Sequence, residues 1–525
     1  MSSARSFSKE VSAWKELATQ NTPPPHRKRR RILGIINILL LIILIFGAVH
    51  LLAAASDSND QLLVRIGDQQ AAVLDLRQGQ PISPYLFGVN TFPEVGTTSG
   101  FMDYSPPITN GLQNAHIKLM RFPGGNWGET HLLSFDQLNA FSALLSETNA
   151  EGMVQVRLSS SLDSAGMPTD LSTRVNTAGR WVDYMNNPKS DLRTGKNAPF
   201  HPIKFWSVGN EPDKLINSTT GKTYTVEDYV NAFIQYSRIM HQSDPTIQVF
   251  GPEISQFFGL GAGPTDANGA LWMESFLKGV GAYEQANHVT LLDGVSFHSY
   301  QFTDARSNPS LLLSSTDAWN YLLPSLRQII RRDLGRDVPI AITEINTNRT
   351  GDLPSRGLAA LWWADTLGTL MNQQVAYVAY FSAEGVDAPY PLFTTDGLHQ
   401  TPMFRVMQLF SHLQRNLIPL AIQREPISVY ATQDDMHQTL GLLFINKVDT
   451  TQLAQVSAGS SLFNMSPWHS LDISLSGYSM VLVTLHRGGD AEAYSYIAPT
   501  SNDTNVAPLT YTLCGHQTDA LAAPC

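Results

Sequence analysis

Cysteine is nearly missing from this chain: two in 525 residues, Cys514 and Cys525, both among the last dozen positions. That scarcity excludes a cysteine-built zinc module and a disulfide-framed fold, and leaves room for one small terminal loop if the chain is exported and oxidised. Charge is sparse as well, at 15% of residues, and positive charge is gathered at one end. Residues 1–55 hold eight of the 35 basic and two of the 45 acidic residues, so the remainder carries a net −16. Such a surface excludes nucleic acid as a partner and disfavours polyanionic substrates. No internal repeat is present, which excludes a solenoid. Long apolar runs are absent with one exception.

That exception is Ile32 to Ala55. Its 24 uncharged, Leu/Ile-rich positions can cross a hydrocarbon core that needs about 20. The block His26-Arg-Lys-Arg-Arg-Arg31 before it should stay cytoplasmic and send the C-terminal bulk outside. Ala53-Ala54-Ala55 resembles a cleavage site, so secretion after cleavage is the alternative. The long n-region and long apolar stretch favour an uncleaved anchor in the cell membrane. The expected plan is a cytoplasmic basic tail (1–31), a transmembrane anchor (32–55), and a linker with one or two strands (56–82).

Beyond it, hydrophobic content of 43% describes a folded protein. From about residue 83 to 417, short apolar runs alternate with helical periodicity. Strands are expected at Ile82–Asn90, Ile117–Phe122, Met153–Leu158, Lys204–Val208, Gln248–Glu253, Gly294–Tyr300, Val338–Asn346 and Val375–Phe381. Eight strands at intervals of roughly 30–50 residues fit a (β/α)8 barrel better than a doubly wound sheet. After Leu417 the texture is strand after strand, which predicts a β-sandwich over 418–488, followed by a loosely held tail over 489–525.

Two strand ends carry chemistry. Lys204-Phe-Trp-Ser-Val-Gly-Asn-Glu-Pro-Asp213 is a buried run that stops in a polar corner, where Pro212 has no N–H and restricts Glu211 to extended or turn geometry. Val338-Pro-Ile-Ala-Ile-Thr-Glu-Ile-Asn346 delivers Glu344 in the same way. Strands four and seven of a barrel can face each other across its mouth, where such folds place their active groups. Taken alone, either glutamate is an ordinary strand-end carboxylate. As a pair they suit glycoside hydrolysis, one protonating the leaving oxygen while the other attacks or activates water. Arg121 precedes a sharp Pro123-Gly124-Gly125 corner with Asn126, and Trp127 beyond it could stack on a sugar or pack the loop. Alternation puts Ser296, His298 and Tyr300 on one side of strand six. Glu253 ends strand five.

On these motifs the sequence resembles a retaining glycoside hydrolase of clan A. Gly-Asn-Glu-Pro-Asp is similar to family 79 β-glucuronidases of the heparanase-like kind, and Arg-Phe-Pro-Gly-Gly-Asn to the arabinofuranosidase-type family 51 and 39 groups. The resemblance implies Glu211 as acid/base, Glu344 as nucleophile, Asn210 on the sugar 2-hydroxyl, Arg121 and Tyr300 supporting the nucleophile, and His298 in the pocket or behind the acid. It implies an oligosaccharide, polysaccharide or glycoconjugate substrate and no metal or organic cofactor. The chain departs from the clan where a strand-eight tryptophan is common. Here the end reads Tyr380-Phe-Ser, so Tyr380 or its neighbour is expected as the sugar platform. A non-catalytic carbohydrate-binding protein on the same scaffold is the alternative.

Overall fold

The computed structural model describes residues 61–516 apart from 94–101, 161–168, 194–199, 303–307, 349–353, 385–389, 420–424, 459–470, 487–489, 500–505 and a few isolated positions. The expected tail and anchor over 1–55 lie outside the described residues. No helix among the described residues is long and apolar enough to cross a membrane.

Eight parallel strands close into a barrel: Gly88–Asn90, Leu119–Phe122, Glu151–Val156, Phe205–Val208, Gln248–Ile254, Gly294–Phe302, Ile340–Asn348 and Tyr377–Tyr380, in that order around the ring. They are called strands one to eight below. Seven of the expected strands agree with this ring to within two residues at each end, while of Ile82–Asn90 only Gly88–Asn90 is strand. Helices sit between the strands in sequence, and their ends follow local chemistry. Ser134 caps Phe135–Thr148 in a reciprocal capping box with Gln137. Thr225 caps Val226–Ser243 in the same way, with Asp228 in place of the usual Glu/Gln.

The barrel is filled, not hollow. Its floor is a small apolar cluster of Leu119, Met153, Phe205, Phe250, Ala341 and Tyr377. Tyr85 stacks on Tyr377 at 5.4 Å and meets Phe205 edge-on at 5.1 Å, plugging the bottom. Strand one needs Gly88 because a Cβ there would lie 2.2 Å from the Val378 carbonyl oxygen. On the outer side, Trp362 and Trp363 are fully buried in helix Arg356–Asn372.

Two antiparallel sheets form the second layer system. One has four strands, ordered Leu471–Leu475, Gln452–Ala458, Gln61–Ile66 and Gln69–Asp75. The other has seven, running from Thr510–His516 through Asp490–Ile497, Ser479–His486, Thr439–Asn446, Ile427–Gln433 and Asn416–Ile418 to Gln80–Pro81. Their facing residues make a second core that includes Leu62, Val64, Leu442, Phe444, Val456, Ile473 and Val483.

One expectation needs correction here. The segment after 488 is not a loose tail, because Asp490–Ile497 pairs along Ser479–His486 and then carries Thr510–His516. Its apolar signal is weak because its core-facing positions include the small Ala491 and Ala493 while Ile497 is exposed. Gln452–Ala458, whose core-facing positions include the small Ala454, is a further strand of the four-stranded sheet. The helix Pro402–Phe410 ends the barrel, and Asn416–Ile418 turns into the sandwich. Cys514 is buried and disulfide-bonded. The chain's other cysteine, Cys525, lies outside the described residues.

Asp365, on helix Arg356–Asn372, ties barrel to sandwich. Its buried carboxylate accepts from Tyr430 Oη (2.7 Å), Lys447 Nζ (3.1 Å) and Thr316 Oγ1 (2.5 Å). Glu425 also pairs with Lys447. Burial alone would lower the Lys447 pKa, but the Asp365 and Glu425 carboxylates outweigh it and hold the ammonium above its ordinary value. Removing one partner of a buried pair strands the other charge. Asp365→Ala is therefore expected to cost about 3–5 kcal/mol in denaturant unfolding. Adding Lys447→Met should recover much of that loss. An Asp365→Ala protein as stable as the parent would overturn this account.

Candidate active site

The polar groups at the barrel mouth are held by strand ends with unusual backbone. Gly209 has φ +78° and Glu211 φ +46°, so strand four ends in a left-handed turn that swings the Glu211 carboxyl inward. For a non-glycine residue that geometry costs about 1–2 kcal/mol. The Glu211 N–H offsets part of it by donating to the Glu253 carbonyl at 2.9 Å. Glu253 is left-handed as well, at φ +57°.

Arg121 is the hub, and it is wholly buried. Nη1 donates to Asn90 Oδ1 (2.9 Å) and Glu344 Oε1 (3.0 Å). Nη2 donates to Gln155 Oε1 (3.0 Å), Asn210 Oδ1 (3.0 Å) and Glu253 Oε2 (2.8 Å). The guanidinium fork thus fixes an ionised Glu344 and the rotamer of Asn210 together. With its Oδ1 on Arg121, Asn210 points Nδ2 toward Asn126 Oδ1 at 3.1 Å. Asn126 itself is exposed at the start of the short helix Trp127–Thr130.

Glu344 receives a donor at each oxygen: Arg121 at Oε1, and the Tyr300 phenol at Oε2, 2.8 Å away. Burial, together with the Glu344 charge, keeps the Tyr300 hydroxyl protonated well above its ordinary range, so it remains a donor. In the register of strands six and seven His298 stands beside Glu344. Its Nδ1 lies 3.1 Å from Glu211 Oε1 and 3.5 Å from Glu344 Oε2. Lys214 Nζ is 3.1 Å from Glu211 Oε2. Partial burial lowers the Lys214 pKa, opposed by the charges of Asp213 and Glu344.

Donor atoms of Glu211, His298 and Glu344 all lie within 4.8 Å of one another. Arg121 and Lys214, each against one of these carboxylates, oppose a cation between them. The closeness suits a different use. Carboxyl groups about 5–5.5 Å apart belong to double displacement, whereas inversion needs about 6.5–9.5 Å to admit a water. A pair so placed can work by double displacement: one carboxylate attacks the anomeric carbon while the other, as an acid, protonates the departing oxygen and then, as a base, takes a proton from the water whose oxygen displaces the first.

Glu211, Glu344, Arg121, Asn210, His298 and Tyr300 therefore meet in one place, with Asn126 at its edge. Two other expected site residues do not join them in the same way. Tyr380 is a correction: its ring packs on Trp363 at 4.7 Å, its hydroxyl donates to the Tyr390 carbonyl (2.7 Å), and it points away from the cleft. Strand-eight alternation turns the next residue, Phe381, inward, edge-on to Phe92 and Tyr300. Trp127 is half-buried and stacks on His131 at 4.7 Å. Gly125, at φ +60°, lets the loop pass over the site, because a Cβ there would meet the Phe381 ring at 3.2 Å and Glu344 Oε1 at 3.6 Å.

Sequence reasoning missed Asn90, Gln155, Glu129 and Lys214. Gln155 left a usable signal, as a lone amide in the otherwise apolar Met153–Val156. It bridges Arg121 to Glu129, whose buried carboxylate accepts from the Leu158 and Ser159 N–H groups. Burial raises the Glu129 pKa, and those hydrogen bonds only partly counter it. Lys214, three residues past Glu211, was legible only as a surface charge.

Comparisons with known proteins agree with this arrangement. Residues 135–303 match the model for glycoside hydrolase family 44, a span that holds Asn210, Glu211, Glu253, His298 and Tyr300. No curated protein matches the chain. Among solved structures it is similar to CelM2, a bifunctional glucanase-xylanase from a metagenome library. The two share 15% identity over 78% of this chain and 97% of that one, with TM-score 0.57. It is also similar to AbfB, a family 51 α-L-arabinofuranosidase from Bifidobacterium longum, with 15% identity, 72% and 85% coverage and TM-score 0.55. A family 44 xyloglucanase from Paenibacillus polymyxa follows at 14% identity, 77% and 96% coverage and TM-score 0.53. At such identities the structures speak to the fold alone. None of these matches is a family 79 enzyme, so the expected likeness to β-glucuronidases gains no support from them. Residues 135–303 thus match a glycoside hydrolase family model, on a barrel whose mouth brings Glu211 and Glu344 together.

Proposed function

We propose that the substrate is a neutral β-linked polysaccharide of the glucan or xyloglucan class, cut with retention by Glu344 and Glu211. The observation that carries the chemistry is the closeness of the two carboxylates, with Arg121 and Tyr300 on Glu344 and His298 and Lys214 on Glu211. The family 44 match supports the substrate class, since structures of that family are described as endoglucanase and xyloglucanase. A uronic acid needs a cation aimed at its own carboxylate. Among the described residues, Arg121 is engaged by five acceptors and Lys214 by Glu211, which supports a neutral sugar. We further infer that residues 32–55 anchor the enzyme in the membrane with its barrel outside. The support is 24 uncharged positions behind a basic block.

The test is a panel of β-glucan, xyloglucan, xylan, arabinan and aryl glucuronide, read by reducing-end release and by NMR of the first-formed anomer. Cleavage of the glucan or xyloglucan with a β-anomer appearing first is expected. Turnover confined to the glucuronide would overturn the substrate, and an α-anomer the mechanism. Carbonate extraction of the full chain from its membranes should leave it in the pellet. Release into the supernatant would argue against the anchor.

A further inference from the structure

Glu253 is a third carboxylate in the cleft, fully buried, and no step described above uses it. Oε2 accepts from Arg121 Nη2 at 2.8 Å and faces His298 Nε2 at 3.4 Å. Oε1 accepts from Thr343 Oγ1, one residue before Glu344, at 3.1 Å. Its main-chain carbonyl takes the Glu211 N–H. Burial would raise its pKa, but Arg121 and His298 outweigh that and hold it below the ordinary carboxylate value. It is therefore an anion at working pH, and an anionic carboxylate can only accept.

That fixes the histidine. With Glu253 as acceptor, Nε2 carries a hydrogen, and Nδ1 is left facing Glu211 Oε1 at 3.1 Å and Glu344 Oε2 at 3.5 Å. Among the described residues, the other charged or titratable groups around the ring are Arg121, which bonds Glu253 and Glu344, Lys214 on the far oxygen of Glu211, and Tyr300 on the same strand. One proton then sits between Nδ1 and Glu211 Oε1. Either the carboxylic acid donates to bare Nδ1 or the imidazolium donates to the carboxylate.

We propose that Glu253 is a positioning residue for the acid step: by accepting the Nε2 proton of His298 it aims Nδ1 at Glu211, so that the proton given to the leaving group is stored by the His298–Glu211 pair. This rests on the glycosidase mechanism above. Glu253 also offsets the Arg121 charge. Without that negative charge the pair should lose its proton at lower pH, by about one unit, as for a charge removed from within 4–6 Å.

The experiment uses full-length Glu253→Gln and Glu253→Asp beside the parent. kcat/KM is followed against pH on the polysaccharide and on an aryl glycoside with a dinitrophenolate leaving group, which departs without acid help. For Glu253→Gln the basic limb on the polysaccharide is expected about one pH unit lower. The loss on the activated glycoside should be at least about tenfold smaller, as expected when acid help is what is missing. Glu253→Asp should restore part of the limb. Equal loss on both substrates with an unmoved limb would reduce Glu253 to a structural role and overturn the proposal. A second arm needs no turnover: nitrogen-15 NMR of labelled histidines, with His298 assigned by its disappearance in His298→Gln. A protonated Nε2 in the parent is expected. A bare Nε2 in the parent would overturn the proposal whatever the variants do. If the parent turned over no glycoside yet showed the protonated Nε2, the proposed function would fail while this proton arrangement stood.

Discussion

Glu344→Gln should lose at least about 10⁴-fold in kcat/KM, some 5 kcal/mol of transition-state stabilisation at 1.36 kcal/mol per decade. The amide is nearly the same shape, so the cleft should still bind substrate. What disappears is the nucleophile: an amide oxygen cannot form the glycosyl ester on which double displacement depends. Arg121 loses one anionic partner but keeps Glu253 at 2.8 Å, so the barrel should stay folded. The intermediate can be caught directly. An activated 2-deoxy-2-fluoro cello-oligosaccharide slows breakdown of the ester more than the parent can correct, and intact mass should rise by one glycosyl unit. Peptide mapping should place the adduct on Glu344, and Glu344→Gln should show none. An adduct on Glu211 or Glu253 would reassign the nucleophile, and an unimpaired Glu344→Gln would end the double-displacement reading.

The barrel was legible because its strands, buried on both faces, read as short apolar runs ending in polar corners. Glu211 and Glu344 follow such runs, as do Arg121, His298 and Tyr300. Period-two alternation then assigned the correct face of strand six. On strand eight the same alternation only says that Tyr380 and Phe381 face opposite sides. The aromatic choice was left open because chain order alone does not say which parity faces the mouth when a strand is only four residues long. What sequence could not supply was the meeting of side chains from five strands on one guanidinium. Asn90 and Gln155 are neutral amides, and nothing local distinguishes an amide that accepts from a buried arginine from one on a surface. Glu253 shows the limit most sharply. It was visible as one more strand-end carboxylate, and its importance lies in Arg121 and His298, 132 and 45 residues away. The sandwich was less legible at Gln452–Ala458 and Asp490–Ile497, whose core-facing positions include the small Ala454, Ala491 and Ala493.

Glu211→Ala should separate the two halves of the mechanism that Glu344→Gln stops together. On the polysaccharide, whose leaving alcohol needs a proton, the loss should be about 10²–10⁴-fold, the usual worth of a positioned general acid. On a dinitrophenyl glycoside the ester should still form at nearly the parental rate, then accumulate, because no carboxylate remains to activate water. A burst followed by a slow steady state is the expected trace. The structure adds a reason to expect rescue. Removing the Glu211 carboxylate leaves Lys214 Nζ and His298 Nδ1, now 3.1 Å from its two oxygens, facing a small gap beside the ester. A small anion suits that gap. Azide should therefore restore turnover and leave as a β-glycosyl azide, having approached from the face that Glu211 served. Without the burst, Glu211 would not be the acid. With the burst but an α-glycosyl azide, the nucleophile and the acid would lie on the opposite faces from those assigned here.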